Sequence, residues 1–468
     1  MQRWHLTAGL AGATALAALV LPTLRGTTIS EKPPEVVPDT PAEPLTQPEA
    51  VGSLLLRADL DRGALLAGQA QDRYLVVEIE GPDLPDDVRR PVSLAVVMDV
   101  SGSMAGRGKI DNARMAAAEL VAQLGPQDSF SLITFSDQGR VIQSLGQVQD
   151  VARTQRLIQG IQPTGGTHLS SGMELGIDQL SDPTIEGVRR VVVLSDGMAN
   201  IGVTDPLALA RMAGGKVDQG VSLSTIGLGL DYNEDLLTAM SDAGGGSYHF
   251  VDRPGQLASI FQSELNQMSR VAGREVSVEV SLPPGVTLRE VYGYSATTTT
   301  DGYRVFLGDL HGGETRKVVA RIQVEPGAEA SFDVAQVALR YQDPETDTAA
   351  GRELAVVSAV SNDEQLVRRS VNKQAGVAAA KAHAGLLMDR SARSYAEGDI
   401  ASNQADLREA EALLSTAGAD YDAAELKAEA AGVSVQREAF QAAPAASSDE
   451  GLYQVKKAKE AARGYSRR

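Results

Sequence analysis

Asp99, Ser101 and Ser103 stand at alternate positions of Asp99-Val100-Ser101-Gly102-Ser103, directly after the apolar run Leu94–Met98. One carboxylate and two hydroxyls on a Gly-containing turn can converge on a single point. Hard oxygen donors of this kind suit Mg²⁺, Mn²⁺ or Ca²⁺ rather than a soft metal. Two further oxygens fit the same chemistry. Thr167 lies in the flexible loop Thr164-Gly165-Gly166-Thr167, and Asp196 closes the run Val191–Ser195 before Gly197. Two carboxylates neutralise a divalent ion, and the hydroxyls add no charge. Mg²⁺ takes six oxygens and keeps water where protein is absent, so at least one position stays exchangeable.

These donors need elements that end where they begin. A short, continuous apolar run reads as a strand buried on both faces of a mostly parallel sheet. Open α/β sheets bind ligands just beyond the carboxyl ends of such strands. Strand runs at Leu94–Met98, Phe130–Phe135, Val191–Leu194 and Val221–Leu228 alternate with helical patterns, as such a sheet requires. The helices are expected at Lys109–Leu124, Val151–Gly160, Leu169–Leu180, Pro206–Gln219, Asn233–Ala243 and Gln256–Arg270, with Tyr248–Val251 as an edge strand.

Asp-x-Ser-x-Ser followed by a distant Thr and a distant Asp resembles the metal-ion-dependent adhesion site (MIDAS) of von Willebrand factor A (VWA) domains. The resemblance implies a Rossmann-like VWA domain over 91–271. It also implies a metal held by Asp99, Ser101, Ser103, Thr167 and Asp196, and a partner protein whose Asp or Glu carboxylate takes the open position. The whole chain resembles bacterial exported proteins of this group that are labelled as calcium-activated chloride channel subunit homologues. One candidate membrane segment cannot build a pore, so channel activity is not expected.

A metal with an open position can also activate water, which makes a metal-dependent hydrolase the rival class. None of the five histidines lies in a His-Glu-x-x-His, and there is no Gly-x-Ser-x-Gly elbow or phosphate-binding loop. His168, beside Thr167, has no positioned nucleophile to serve. The expectation is a binding module, not an enzyme.

Composition narrows the partners. With 61 acidic against 43 basic residues the net charge is −18, which argues against nucleic acid or an anionic membrane surface. The absence of cysteine removes thiol chemistry and disulfides and leaves the compartment open. At the N-terminus, Arg3 and His5 precede the uncharged stretch Leu6–Leu24, so 1–30 reads as a signal peptide or an N-terminal membrane anchor. The Pro/Glu-rich segment 31–50 reads as a linker. Export to the periplasm, or tethering to the cell membrane, follows from these two segments.

The flanks of the central domain are β-rich. In 51–90, Leu75, Val77 and Ile79 alternate with Val76, Glu78 and Glu80, the pattern of a half-exposed strand. Two or three strands do not make a stable sheet. Their partners are expected in 272–360, giving an antiparallel β-sandwich with the VWA domain inserted. Residues 361–440 read as a helical hairpin, in which Leu387, Met388, Ala392 and Tyr395 face Leu407, Ala410 and Leu414. A linker and a basic helix fill 441–468. Lys456, Lys457, Lys459 and Arg463 there either pack on an acidic face of the same chain or meet a membrane or partner. Asp231, Asn233, Glu234 and Asp235 read as a cap and charged start of a helix.

Overall fold

The computed structural model describes residues 49–51, 54–85, 89–328 and 330–467. The expected signal peptide or anchor lies outside the described residues, as does the linker except for Glu49 and Ala50, which open a strand. The described chain begins with β1 (Glu49–Val51), β2 (Leu54–Leu60), β3 (Ala64–Leu66) and β4 (Gln71–Glu80). The α/β segment opens with β5 (Val92–Asp99), α1 (Lys109–Gln123), β6 (Ser129–Phe135), β7 (Gly139–Gln147), α2 (Val151–Gln159) and α3 (Leu169–Leu180). It closes with β8 (Val188–Ser195), α4 (Pro206–Gly214), β9 (Val221–Leu228), α5 (Glu234–Ala243), β10 (Gly245–Val251) and α6 (Leu257–Ser269).

β5 lies inside the sheet β10-β9-β8-β5-β6-β7, in which β7 alone pairs antiparallel. All residues of β5 are buried, and alternation sends them to opposite faces. Leu94, Val96 and Met98 join Ile110, Ala113 and Leu120 of α1 and Phe261 of α6. Ala95 and Val97 join Met173 and Ile177 of α3. Two glycines let α3 sit close to the sheet. A methyl at Gly172 would lie 2.6 Å from the Phe135 ring, and one at Gly176 would lie 2.6 Å from Val97. β7 is absent from the expected strands because its residues lack clean alternation; it is a half-exposed edge.

Beyond the α/β segment run β11 (Val271–Ser281), β12 (Val286–Tyr292), β13 (Ala296–Thr298), β14 (Gly302–His311), β15 (Thr315–Val324), β16 (Ser331–Asp343) and β17 (Thr348–Ser361). They form two sheets with the early strands, ordered β1-β2-β4-β15-β12 and β13-β14-β11-β16-β17-β3. β4 pairs with β15 along its whole length, from Gln71 opposite Val324 to Glu80 opposite Thr315. Leu56, Val77, Ile79 and Ala320 of the first sheet share one buried apolar cluster with Val278, Val280, Val305 and Val337 of the second. β3 departs from the antiparallel expectation and runs parallel to β17. The chain crosses between the two sheets after β2 and meets β17 travelling in the same direction.

The C-terminal region is helical: α7 (Glu364–Arg369), α8 (Lys373–Ala396), α9 (Ile400–Asp420), α10 (Ala424–Ala442) and α11 (Asp449–Arg467). α8 and α9 are the expected hairpin, and α10 is an addition to it. Its apolar face is sparse, with Leu426, Ala430, Val433 and Phe440 buried in an otherwise polar and Ala-rich sequence. α8 also covers the outer face of the five-stranded sheet. Val76 and Val319 are buried there against Ala375, Ala378, Ala379 and Ala382, so β4 is buried on both faces along its middle.

Basic α11 packs on the same chain's α5. Lys456 lies 3.9 Å from Glu234, Lys459 pairs with Asp235, and Arg463 and Arg467 both pair with Asp242. The Lys456 ammonium also sits 3.6 Å from the centre of the Tyr232 ring, within range of a cation–π attraction. Lys457, facing the other way, is exposed. Asn233 caps α5 by accepting from the Leu236 N–H at 3.0 Å. The acidic start of α5 therefore serves both as a cap and as the seat of α11. No described helix is long and apolar enough to cross a membrane.

Candidate metal centre

Three loops at the carboxyl edge of the parallel sheet carry the expected donors. Asp99 ends β5 and is fully buried, and Asp196, fully buried too, directly follows β8. Ser101 is buried next to Asp99, and Ser103 is exposed in the short turn Gly102–Ala105. Thr167 is buried just before α3.

The structure brings these groups together. The Ser101 and Ser103 hydroxyls are 3.0 Å apart, and Ser103 donates to Asp196 Oδ1 at 2.7 Å. A methyl at Gly197 would lie 3.6 Å from Ser103 Oγ and 3.7 Å from Thr167 Oγ1, which puts both hydroxyls around one small opening. The donor set is all oxygen, with two carboxylates and three hydroxyls, and it fits a hard divalent ion.

Each donor is held from behind. Asp99 Oδ1 accepts the Ser101 N–H at 2.8 Å, and Asp99 Oδ2 accepts the Ser195 hydroxyl at 2.7 Å. Burial pushes the Asp99 carboxyl up to about 6, against the pull of these hydrogen bonds, and nearby Asp196 adds to the rise. A cation placed beside it would relieve that strain. Asn200 Oδ1 accepts the Thr167 N–H at 2.9 Å, while the Thr167 carbonyl accepts the Asn200 N–H at 3.1 Å. Asp137, in the turn between β6 and β7, accepts the Gly166 N–H at 2.7 Å. The His168 ring bonds the Asp137 carbonyl at 3.1 Å and packs against Gly202.

Sequence reasoning did not single out Asp137, Ser195 or Asn200 as supports, nor Lys109 as part of the site. The Lys109 ammonium lies 2.6 Å from Asp196 Oδ2, and both side chains are buried. The signal available was position alone. Lys109 opens α1, and the chain reaches it through Arg107 and Gly108 in the left-handed region, with φ of 53° and 70°.

Among the described residues no group of three or more His, Cys, Asp or Glu is placed to hold a metal. Hydroxyls supply most of the donors here, so such a cluster is not what this chemistry needs.

Residues 93–263 match the model of the von Willebrand factor type A domain. An uncharacterized protein of Escherichia coli, YfbK, is 27% identical over 227 residues, covering 48% of this chain and 40% of that protein. The bovine inter-alpha-trypsin inhibitor heavy chain H4 is 29% identical over 231 residues, covering 46% of this chain and 25% of that one. The chain thus spans less than half the length of either relative. Among solved structures, a von Willebrand factor type A protein from Catenulispora acidiphila superposes with a TM-score of 0.64 at 19% identity, covering 82% of this chain and 92% of that one. The matched residues enclose the whole parallel sheet and its carboxyl-edge loops. Residues 93–263 are a von Willebrand factor type A domain, with a C-terminal helical region following later in the chain.

Proposed function

We infer that the protein is a divalent-metal-dependent binding module of the bacterial cell envelope, which captures a partner protein's Asp or Glu carboxylate. One observation carries the reading: two buried carboxylates and three hydroxyls from three loops converge at the carboxyl edge of a parallel sheet. Asp99, Ser101, Ser103, Thr167 and Asp196 would hold Mg²⁺, Mn²⁺ or Ca²⁺. Bound there, the ion supplies a Lewis-acidic position open to an incoming carboxylate. The protein's own part is to fix the donors. Ser195 and the Ser101 N–H orient Asp99, and Asn200 fixes the Thr167 loop.

A VWA domain supports adhesion or scaffolding as the general role. The envelope location rests on the uncharged stretch Leu6–Leu24 and the Pro/Glu-rich segment after it. In the same reading the two outer sheets form a β-sandwich that displays the VWA domain between β4 and β11. Membership of the exported group labelled as chloride channel subunit homologues belongs to this proposal, with no channel activity attached.

The test is capture of a partner from a native envelope extract. Chelator is expected to release the captured protein, and added Mg²⁺ or Mn²⁺ to restore it. Thr167→Ala should weaken capture more than metal binding, because a neutral hydroxyl contributes geometry more than charge. Metal-dependent turnover of an ester, phosphoester or peptide substrate, lost in Thr167→Ala and with no chelator-sensitive partner, would overturn the reading in favour of a hydrolase.

A further inference from the structure

We propose that Lys109 sets the charge of the metal centre. By staying on Asp196 Oδ2 it leaves a bound divalent ion under-neutralised, which loosens the ion but strengthens its pull on a partner's carboxylate. The inference rests on the metal-binding reading above and adds a residue and a direction to it.

The geometry divides Asp196 between two cations. Its Oδ1 faces the Ser103 hydroxyl at 2.7 Å, on the side of the other donors, and its Oδ2 faces the Lys109 ammonium at 2.6 Å. Lys109 is buried to 6% exposure, so its charge is poorly screened by water. Gly229, at φ 84°, lies beside it, where a methyl would be in ordinary contact, 3.4 Å from Lys109 Cε and 3.6 Å from its Nζ. Lys109 and Gly229 both line a cavity of about 290 Å³, together with Arg107 and Tyr453. Lys109 is thus a buried member of the site, held by its ion pair with Asp196.

Charge arithmetic gives the consequence. Asp99 and Asp196 alone would cancel a divalent ion. With Lys109 fixed beside them the protein contributes one net negative charge, and the loaded centre keeps one positive charge in excess. A unit charge within about 4–6 Å shifts a carboxylate's proton affinity by 1–3 pKa units, or 10- to 1,000-fold. A divalent ion sharing Asp196 with Lys109 should feel an effect at least as large. The excess positive charge is then available to an anion from outside the protein.

The experiment compares the full chain with Lys109→Met, which keeps the length and apolar stem and removes the charge. Lys109→Gln, neutral but still able to hydrogen-bond, is the second variant, and Lys109→Arg keeps the charge. Mn²⁺ alone is titrated calorimetrically after chelator treatment. Both neutral variants should bind Mn²⁺ at least about tenfold more tightly than the wild type, while Lys109→Arg stays close to it. Added Mn²⁺ should also raise their melting temperatures by more. With acetate as the carboxylate probe, Mn²⁺-induced relaxation of the acetate methyl protons should be weaker in the neutral variants, because their loaded centres carry no excess charge. Folded neutral variants that bind Mn²⁺ no tighter than the wild type would overturn the proposal and leave the metal reading standing. A wild type that binds no Mn²⁺, Mg²⁺ or Ca²⁺ would overturn both.

Discussion

Arg467 and Asp242, 225 residues apart in the chain, form a two-pronged ion pair, with Nη1 and Nη2 of the guanidinium each 2.9 Å from a different carboxylate oxygen. Arg463 reaches the same carboxylate at 2.7 Å. Paired, charge-assisted hydrogen bonds of this geometry are the stronger kind, and here they hold the last helix on the VWA domain. Asp242→Asn should cost about 2–3 kcal/mol, since it weakens hydrogen bonds made to a charged group. The readouts are the urea midpoint and the hydrogen exchange of α11, which should speed up while β5 and β8 stay protected. Equal exchange along α11 in both proteins would mean that the apolar contacts with α8 hold it without help.

Removing charge from the metal centre should separate binding from folding. Asp99→Asn keeps an acceptor for the Ser101 N–H and a partner for the Ser195 hydroxyl. It takes away half of the carboxylate charge opposing the ion. Mn²⁺ affinity should fall by more than the roughly 100-fold that losing a supporting partner of a metal ligand costs. The melting temperature of the metal-free protein should not drop, because the wild type buries a carboxylate whose pKa is pushed up to about 6. Calorimetric titration and a thermal melt in chelator check the two halves. Unchanged Mn²⁺ affinity in the folded variant would place the binding site elsewhere.

The two carboxylates were legible as rim residues because each sits where a buried run stops, whereas Ser103 and Thr167 lie in loops. Val96, Val97 and Met98 are apolar on both faces, so the first polar residue after them, Asp99, has to lie at the sheet's rim. After Val193 and Leu194 the first polar residue is Ser195, which ends β8, and Asp196 follows it at the rim. Lys109, Asp137 and Asn200 were not legible as site residues. Their roles come from partners across other loops, and no local spacing encodes those. The alternation in β4 was read as half-exposed because the sequence around Val76 cannot show that Ala375, Ala378, Ala379 and Ala382 of α8 will cover it. The lysines of α11 announced a charged face, and the acidic start of α5 announced its complement. Only the fold shows that they meet.

The Thr167 loop depends on one glycine. Gly165 is at φ 72°, and a Cβ there would lie 2.6 to 2.8 Å from the Asp137 carboxylate that holds the Gly166 N–H. Its carbonyl also accepts the Gly102 N–H at 3.0 Å, tying this loop to the turn that carries Ser103. Gly165→Ala therefore meets both a disfavoured backbone and a collision. The left-handed conformation alone costs about 1–2 kcal/mol. If the loop shifts to escape it, Thr167 moves off its place, and Mn²⁺ affinity should fall roughly tenfold, which is about 1.4 kcal/mol. Far-UV circular dichroism should be unchanged. A variant with wild-type Mn²⁺ affinity would show that Thr167 tolerates displacement of its loop.

Arg190 makes the last prediction, because it is a fully buried cation at the junction of the VWA sheet and the outer strands. Its guanidinium lies 2.7 Å from Asp309 of β14 and 3.3 Å from Glu264 of α6, and its Nε donates to Ser222 at 2.9 Å. Burial pushes the Glu264 carboxyl up. The hydrogen bond with the His249 ring, at 2.6 Å, and the Arg190 charge outweigh burial and hold it at about 2. A carboxylate with a depressed pKa adds stability above its unfolded value, near 4.5, and loses that stability as the pH falls toward 2. Arg190→Met leaves buried carboxylates without their cation and should cost about 3–5 kcal/mol at pH 7. In that variant Glu264 keeps the His249 hydrogen bond but loses the Arg190 charge, so its pKa rises. The variant then gives up less stability than the wild type as acid protonates Glu264. The wild type loses stability over the lower range. The gap between the two proteins should therefore narrow from pH 7 to pH 4, read as the difference in urea midpoints at each pH. A gap that stays constant over that range would show that Arg190 acts through shape and hydrogen bonds alone, with no contribution from its charge on Glu264.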